Sequence, residues 1–465
     1  MITPLFRLSQ DNEFITLTAK LKYVKFSDFD YFIDNNTFRF SLKPYFLKIT
    51  LSHPLSADSP KNQFTYNIEE QILICKIQKA EIGAHFENLD LISTLFDNPT
   101  TPSAPIANKI EEVSTNSNNS TLCKINVQNA NELNEYLFNI YSQPEISNLT
   151  LLDSKENFFY GFNNQFSDVF DKRAEDAVEI CDLNPKKVPL KFRYLAMLEK
   201  ENNDFNKERY VYDLYLDGDN EDFADDNFKN ILSLSNEKFI DSIKRKENEM
   251  PYTEKEMQIL TSINKTKISF IESNTFSPFK FYLQIVDILF AYLYDCLMTE
   301  YEHSSESGWT INKLSSVLSC FVDYDKNFYS QSKEISFSIL DELIKHTLIA
   351  AYRRVLTYPL YRNVKLCEKI KKEICDVLSL GRFSIVKCFL QIRMIFERSE
   401  PRYLLNVLYI DPFLKWIQFD SEDKILIMLA EKIKSTTIEL SDIKMNLETA
   451  EKEILENDDI EMNDK

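Results

Sequence analysis

The stretch TFRFSLKPYFLKITL, Thr37 to Leu51, decides the fold of the N-terminal region. Phe38, Phe40 and Leu42 alternate with Thr37, Arg39 and Ser41, and Leu47, Ile49 and Leu51 alternate with Lys48 and Thr50. Successive side chains of a strand point to opposite faces, so this alternation describes one buried and one solvated face. The pattern recurs at Ile15, Leu17, Ala19 and Leu21, spaced by Thr16, Thr18 and Lys20, and Ile72 to Ile77 is a further short apolar run. Asp34-Asn35-Asn36 offers residues that tolerate left-handed backbone in a hairpin, while His53-Pro54 and Ser59-Pro60 break strands. Several short strands in so short a span predict a seven-stranded antiparallel sandwich over residues 1–97.

Downstream the character changes twice. Residues 98–121, NPTTPSAPIANKIEEVSTNSNNST, are dominated by Pro, Ser, Asn and Thr and hold too few apolar groups to offset ordering entropy, which predicts a flexible linker. From residue 122 the period is helical. Phe192, Leu195, Ala196 and Leu198 share one face, as do Tyr210, Val211, Leu214 and Tyr215. Ile335–Leu356 and Val364–Leu380 are long periodic stretches, and Gly381 reads as a helix stop. Thr253 with Glu256 reads as a capping box, and Asp411-Pro412 as a cap with proline at the first helical position. Phe281–Met298 is apolar enough to suggest a membrane span, but Gln284, Asp287 and Asp295 would be costly there, so a core helix is the better reading. The region 122–447 is therefore expected to be one large helical domain. The end, 448–465, carries eight acids against Lys452 and Lys465, a charge of 2 − 8 = −6, and reads as a solvated acidic tail or an arm for a basic partner.

Composition limits the function classes. The chain has 465 residues, about three domains' worth at roughly 150 each, and a net charge of −19. Phosphates repel such a chain, so direct nucleic-acid or membrane-surface binding is disfavoured and a basic protein surface is the natural partner. The five glycines are isolated, which excludes a P-loop and the dinucleotide-binding turn. Four scattered histidines form no HExxH, and eight cysteines form no CxxC, so no catalytic residue, cofactor or metal site is assigned. The cysteines are expected to be buried reduced thiols, and His346 a satisfied, half-buried histidine. The N-terminal MITPLFRLSQ lacks the basic and apolar regions of a signal peptide, which suggests an intracellular, reducing compartment. The acidic run DGDNEDFADDN, with Asp217, Asp219, Asp225 and Asp226, reads as a solvated loop because its order does not fit an EF-hand.

The conspicuous positive feature is YRRVLTYPLYRN, Tyr352 to Asn363. Arg353, Arg354 and Arg362 are interleaved with Tyr358 and Tyr361 around Pro359. Arginines and aromatics together serve either recognition or a helix end, where cations favour the dipole and proline stops the helix. The arginines are expected mainly to hold internal carboxylates, with partner contact as the other role. Ser307-Gly308-Trp309-Thr310 reads as a loop before a helix, with Trp309 either core or partner anchor.

These stretches resemble the Shq family, the assembly chaperones of H/ACA ribonucleoproteins. The opening Met1-Ile2-Thr3-Pro4, with Phe6, Ser9, Gln10 and Asp11, is similar to the family's start, and Lys43 to Leu47 to its PYFLR strand, with Lys48 in the arginine place. His85-Phe86-Glu87-Asn88-Leu89 resembles the FE-x-L strand that closes the β-domain, preceded here by Gly83 as a loop residue. Glu306 to Leu314 resembles ESAWT-x-x-KL, with Gly308 in the usual alanine place, and Arg353 to Asn363 resembles RRxL-x-YPL-x-RN. The resemblance spans residues 1–97 and 155–420.

It implies a multidomain chain: an all-β CS-type antiparallel sandwich (1–97), a linker (98–121), a large all-α Shq-specific domain (122–447) and the acidic tail (448–465). It also implies a non-enzymatic, monomeric chaperone of nucleoplasm and cytoplasm. Proteins of this family hold the free pseudouridine synthase of H/ACA particles, cover its RNA-binding surface before guide RNA arrives, and leave with the help of AAA-type ATPases. A −19 chain suits that role as an acidic RNA mimic. Trp309, Arg353, Arg354, Tyr358, Pro359, Tyr361 and Arg362 are the candidate partner-binding residues. The alternative is a CS-domain adaptor of the ninety-kilodalton heat-shock chaperone.

Overall fold

The structure, a computed structural model, describes residues 2–22, 24, 26–57, 59–68, 70–96, 158–216, 224–246, 249–265, 279–324 and 337–452. The expected linker, 98–121, lies outside the described residues. The chain forms two compact units, one of residues 1–120, 244–270 and 414–421, the other of 121–243, 271–413 and 422–465.

The first unit holds seven antiparallel strands: β1 (Leu5–Gln10), β2 (Phe14–Lys20), β3 (Asp30–Asp34), β4 (Thr37–Leu42), β5 (Tyr45–Thr50), β6 (Gln63–Asn67) and β7 (Ile72–Gln78). They form a four-stranded sheet, β1-β2-β7-β6, and a three-stranded sheet, β3-β4-β5. The alternation sets the packing. Ile15, Leu17 and Ala19 of β2, Phe38, Phe40 and Leu42 of β4, and Leu47 and Ile49 of β5 are all buried. Asp34 pairs with Thr37 across the β3–β4 turn, where Asn35 takes a φ of 50°.

The family-like motifs of this unit meet in space. Ile2 pairs with Tyr45 of the Pro-Tyr strand, donating its N–H to the Pro44 carbonyl at 3.0 Å and accepting from Phe46 N at 3.0 Å. Gln10 clamps the Phe86 backbone, accepting Phe86 N at 2.9 Å and donating to its carbonyl at 2.7 Å. The segment expected as a closing strand is therefore no strand. A side-chain amide satisfies its backbone, so it needs no sheet neighbour.

Helical elements also belong to this unit. The helix Ile92–Phe96 packs against the helix Glu254–Lys265, which lies far downstream in the chain. Arg245 reaches Asp90 at 3.6 Å, and Met257, Leu260 and Ile263 are buried. The capping box forms: Thr253 N donates to Glu256 at 2.8 Å and Glu256 N donates to Thr253 Oγ1 at 3.3 Å. Residues 244–270 and 414–421 are grouped with the sandwich in this compact unit. Helical periodicity identifies an apolar face without saying what covers it.

The second unit is helical. Its centre is Phe279–Met298, buried along nearly its whole length. This helix is long and apolar enough to cross a membrane, yet each of its polar residues has a protein partner. Asp287 accepts from Ser316 Oγ at 2.7 Å and from Val317 N at 3.1 Å, Asp295 pairs with His303 at 2.9 Å, and Gln284 donates to Asp323 at 3.3 Å. Against it pack Ser307–Leu314, Phe337–Thr357 and Val364–Ser379, while Arg193–Asp204 packs on Phe337–Thr357 and Arg382–Glu397 on Val364–Ser379. In Arg193–Asp204 the buried face carries Arg193, Tyr194, Ala196, Met197 and Glu201, so Leu195 and Leu198 are less enclosed than their spacing suggests.

Three local readings change. Asp411 does not cap a new helix. The chain is already helical from Tyr403, and passes through a π-helical turn, Asn406–Ile410, into Asp411–Phe419. The wider turn accommodates Pro412, which has no N–H to donate and would crowd the carbonyl one turn back. Asp225, in the acidic run, is a helix N-cap that accepts from Asn227 N at 2.8 Å, while 217–223 lie outside the described residues. The start of the acidic tail is docked: Ala450 is buried and Glu451 accepts the Tyr210 hydroxyl at 2.6 Å. From residue 453 onward the tail lies outside the described residues.

Candidate partner-binding face

The arginine-tyrosine segment begins inside the helix Phe337–Thr357 and ends at Asn363, which caps Val364–Ser379 by accepting from Lys365 N at 2.8 Å. Arg353 and Arg354 are fully buried. Arg353 donates through Nε to Glu201 at 2.8 Å, through Nη1 to the Ile443 carbonyl at 2.7 Å, and through Nη2 to the Leu198 carbonyl at 2.7 Å and Asn202 at 2.8 Å. Arg354 donates to the other Glu201 oxygen at 3.3 Å, to the Lys313 carbonyl at 2.7 Å and to Asp182. Burial alone would push the Asp182 carboxyl up, but Arg354 and Lys313 beside it hold it below the usual carboxylate range. A buried charge is tolerated only when paired and hydrogen-bonded, and these guanidinium groups join elements more than a hundred residues apart.

The remaining candidates divide by exposure. Pro359 and Tyr361 are buried; Tyr361 donates its hydroxyl to Asp225 at 2.8 Å, and the Pro359 carbonyl accepts Arg362 Nε at 3.1 Å. Arg353, Arg354 and Tyr361 therefore turn their side chains inward and hold the fold, while Pro359 borders an open cleft. The arginines hold internal carboxylates, as expected mainly of them, and form a buried clasp. Tyr358 and Arg362 are half-buried, and Trp309 is 38% exposed.

Trp309 stands in the first turn of Ser307–Leu314, not in a loop before it. It shares a helix face with Lys313, four residues on. The Lys313 ammonium lies 4.1 Å from the centroid of the Tyr358 ring, whose hydroxyl donates to Asp204 at 3.0 Å. Beyond Tyr358 an open cleft is lined by Asp204, Arg209, Leu360 and Arg362, and Leu360 is 64% exposed. Gly308, next to Trp309 in the chain, packs against Ser399 and Arg402, and Arg402 pairs with Glu179 at 3.0 Å. Tyr403 and Val407, one turn apart, are exposed there, as is Val178. Exposed aromatic and aliphatic groups rimmed by charge characterise protein interaction surfaces. Leu360, Tyr403 and Val407 were not singled out from the sequence; nothing distinguishes them there from core residues of the same type.

The described cysteines are free and, apart from the half-buried Cys181, buried; burial pushes the Cys375 thiol up to about 11. Among the described residues no cluster of His, Cys, Asp or Glu is arranged to hold a metal ion.

A family model described as SHQ1-like, CS domain, matches residues 3–96, and one described as SHQ1 protein, Shq1 domain, matches residues 241–447. Protein shq1 of Schizosaccharomyces pombe is 30% identical over 466 residues, covering 98% of this chain and 97% of that protein. The chain belongs to the SHQ1 family. The Protein SHQ1 homolog of Xenopus tropicalis is 30% identical over 96% of this chain and 68% of its own length. That of Mus musculus is 29% identical over 97% of this chain and 75% of its own. The two stretches that resemble the family meet in the structure: Arg354 of one donates to the Lys313 carbonyl of the other.

Proposed function

We propose that this chain is an assembly chaperone of H/ACA ribonucleoproteins. It binds the free pseudouridine synthase, covers its basic RNA-binding surface as an acidic RNA mimic, and prevents its aggregation until guide RNA assembles. The observation that carries this reading is membership of the SHQ1 family along nearly the whole chain, and the net charge of −19 fits it. An acidic protein approaching a basic surface gains electrostatic steering, and it competes with RNA for the same field. The exposed Trp309 and Leu360 supply apolar anchors, and the buried arginine clasp holds the helices that carry them. The chaperone acts as a monomer in nucleoplasm and cytoplasm, performs no catalysis, and is released with the help of AAA-type ATPases.

The test is affinity isolation of the chain from native cells with identification of what accompanies it, followed by reconstitution. A one-to-one complex with the synthase that weakens with salt and is displaced by guide RNA is expected. Recovery of the ninety-kilodalton heat-shock chaperone without any synthase would replace this reading with the adaptor role. Salt-resistant binding of the chain to RNA itself would end the mimic.

A further inference from the structure

The sandwich leaves two strand edges side by side. β3 and β6 are the end strands of their respective sheets, and the ring centroids of Tyr31 on β3 and Phe64 on β6 lie 4.0 Å apart. Phe29 stacks on Tyr31 at 5.8 Å and on Phe26 at 5.3 Å, and Phe26 stacks on Tyr66 at 6.1 Å. An aromatic seam thus fills the gap that no backbone pairing closes. It is open to solvent, with Tyr31 43% exposed, and on the outer face of the edge Phe32 is 49% exposed.

Carboxylates are interleaved with these rings. From Phe26 to Asn36 the sequence FSDFDYFIDNN holds Asp28, Asp30 and Asp34 and no lysine or arginine. On β3, Asp30, Phe32 and Asp34 share the outer face, where Arg39 covers Phe32 at 4.3 Å. Among the described residues no cation comes within ion-pair distance of Asp30 or Asp34.

We infer that the β3 edge receives an extended basic segment of a partner protein as an added strand. An added strand's side chains lie beside their neighbours at a spacing of two residues. Lysine or arginine beside Asp30 and Asp34 is favoured, and the intervening apolar side chains reach the aromatic seam. The same geometry disfavours a second copy of this chain. In an antiparallel β3–β3 pair centred on Phe32, each Asp30 faces the other copy's Asp34, and like charges directly opposite destabilise the pairing. The edge therefore selects a basic strand over itself. The inference uses the sandwich alone and does not depend on the chaperone reading.

The probe is a synthetic peptide of alternating lysine and valine, titrated against the full chain by fluorescence anisotropy, with amide hydrogen exchange locating the contact. Its glutamate-for-lysine counterpart is the control. Saturable binding of the basic peptide alone, with protection of residues 30–34, is expected. The double change Asp30→Lys/Asp34→Lys should weaken it about tenfold or more, from two pairs lost and two repulsions gained. The matched change Glu431→Lys/Glu448→Lys, at exposed positions of the helical unit, should leave it nearly unaltered. Equal loss in both double variants, protection elsewhere than β3, or equal binding of the acidic peptide would overturn the proposal. A wild-type chain that dimerises through protected β3 residues would do so as well.

Discussion

Glu201 accepts Arg354 Nη1 at 3.3 Å, and both side chains are closed to solvent. The other Glu201 oxygen takes Arg353 at 2.8 Å, so one carboxylate serves two adjacent guanidinium groups. Removing it leaves buried cations short of a counter-charge. Glu201→Gln is expected to destabilise the helical unit by about 3–5 kcal/mol, read as a fall in the urea midpoint. Arg353→Lys should also destabilise, because an ammonium cannot reproduce donation to Glu201, Asn202 and two separate carbonyls.

Trp309→Ala has the opposite profile. Its side chain is exposed at the start of its helix, so the urea midpoint should move by about 1 kcal/mol or less. Affinity for the partner should fall by at least about tenfold if Trp309 is an anchor of the contact. Wild-type affinity in a correctly folded Trp309→Ala chain would remove Trp309 from the interface.

Gly308 needs no unusual backbone angle, but it does need space. A Cβ there would overlap the Ser399 side chain. Gly308→Ala, although alanine is the usual residue of the resembling motif, should cost about 1–3 kcal/mol in thermal or urea unfolding. Adding Ser399→Gly should recover part of that loss by clearing the overlap.

Two enclosed groups, the half-buried His346 and the buried Glu373, give opposite pH slopes. Burial lowers the His346 pKa to about 4 from the usual 6.5, so between those values the unfolded chain binds the extra proton and acidification destabilises. Burial raises Glu373 to about 7 from 4.5, so the folded chain holds the extra proton and raising the pH through that window destabilises. Each is worth about 3 kcal/mol at full effect. Relative to wild type, His346→Gln should lose stability less steeply on acidification from pH 6.5 to 4, and Glu373→Gln less steeply on alkalinisation from pH 4.5 to 7. Parallel urea-midpoint profiles for wild type and both variants would refute the assignment.

The sandwich was legible because strand periodicity and turn residues are local. Phe38, Phe40 and Leu42 declare a buried face without reference to the rest of the chain. The capping box at Thr253 and the burial of Phe281–Met298 were legible for the same reason. The candidate site was legible only as a set of motifs. Arg354 and Leu360 sit six residues apart in one motif, yet the first is wholly enclosed and the second is 64% exposed.

The sequence by itself determined the order of β and α regions, the acidity of the chain and the family its motifs resemble, because these depend on residue type and near-neighbour spacing. Only the tertiary structure decided which motif residues are clasp and which are surface, since Glu201, Asp182 and Ile443 reach the arginines from distant parts of the chain. It alone decided that the helix Glu254–Lys265 joins the sandwich unit and that Gln10 takes a strand's place beside Phe86. An amphipathic pattern specifies a face to be covered; which partner covers it is set by long-range packing that no local period encodes.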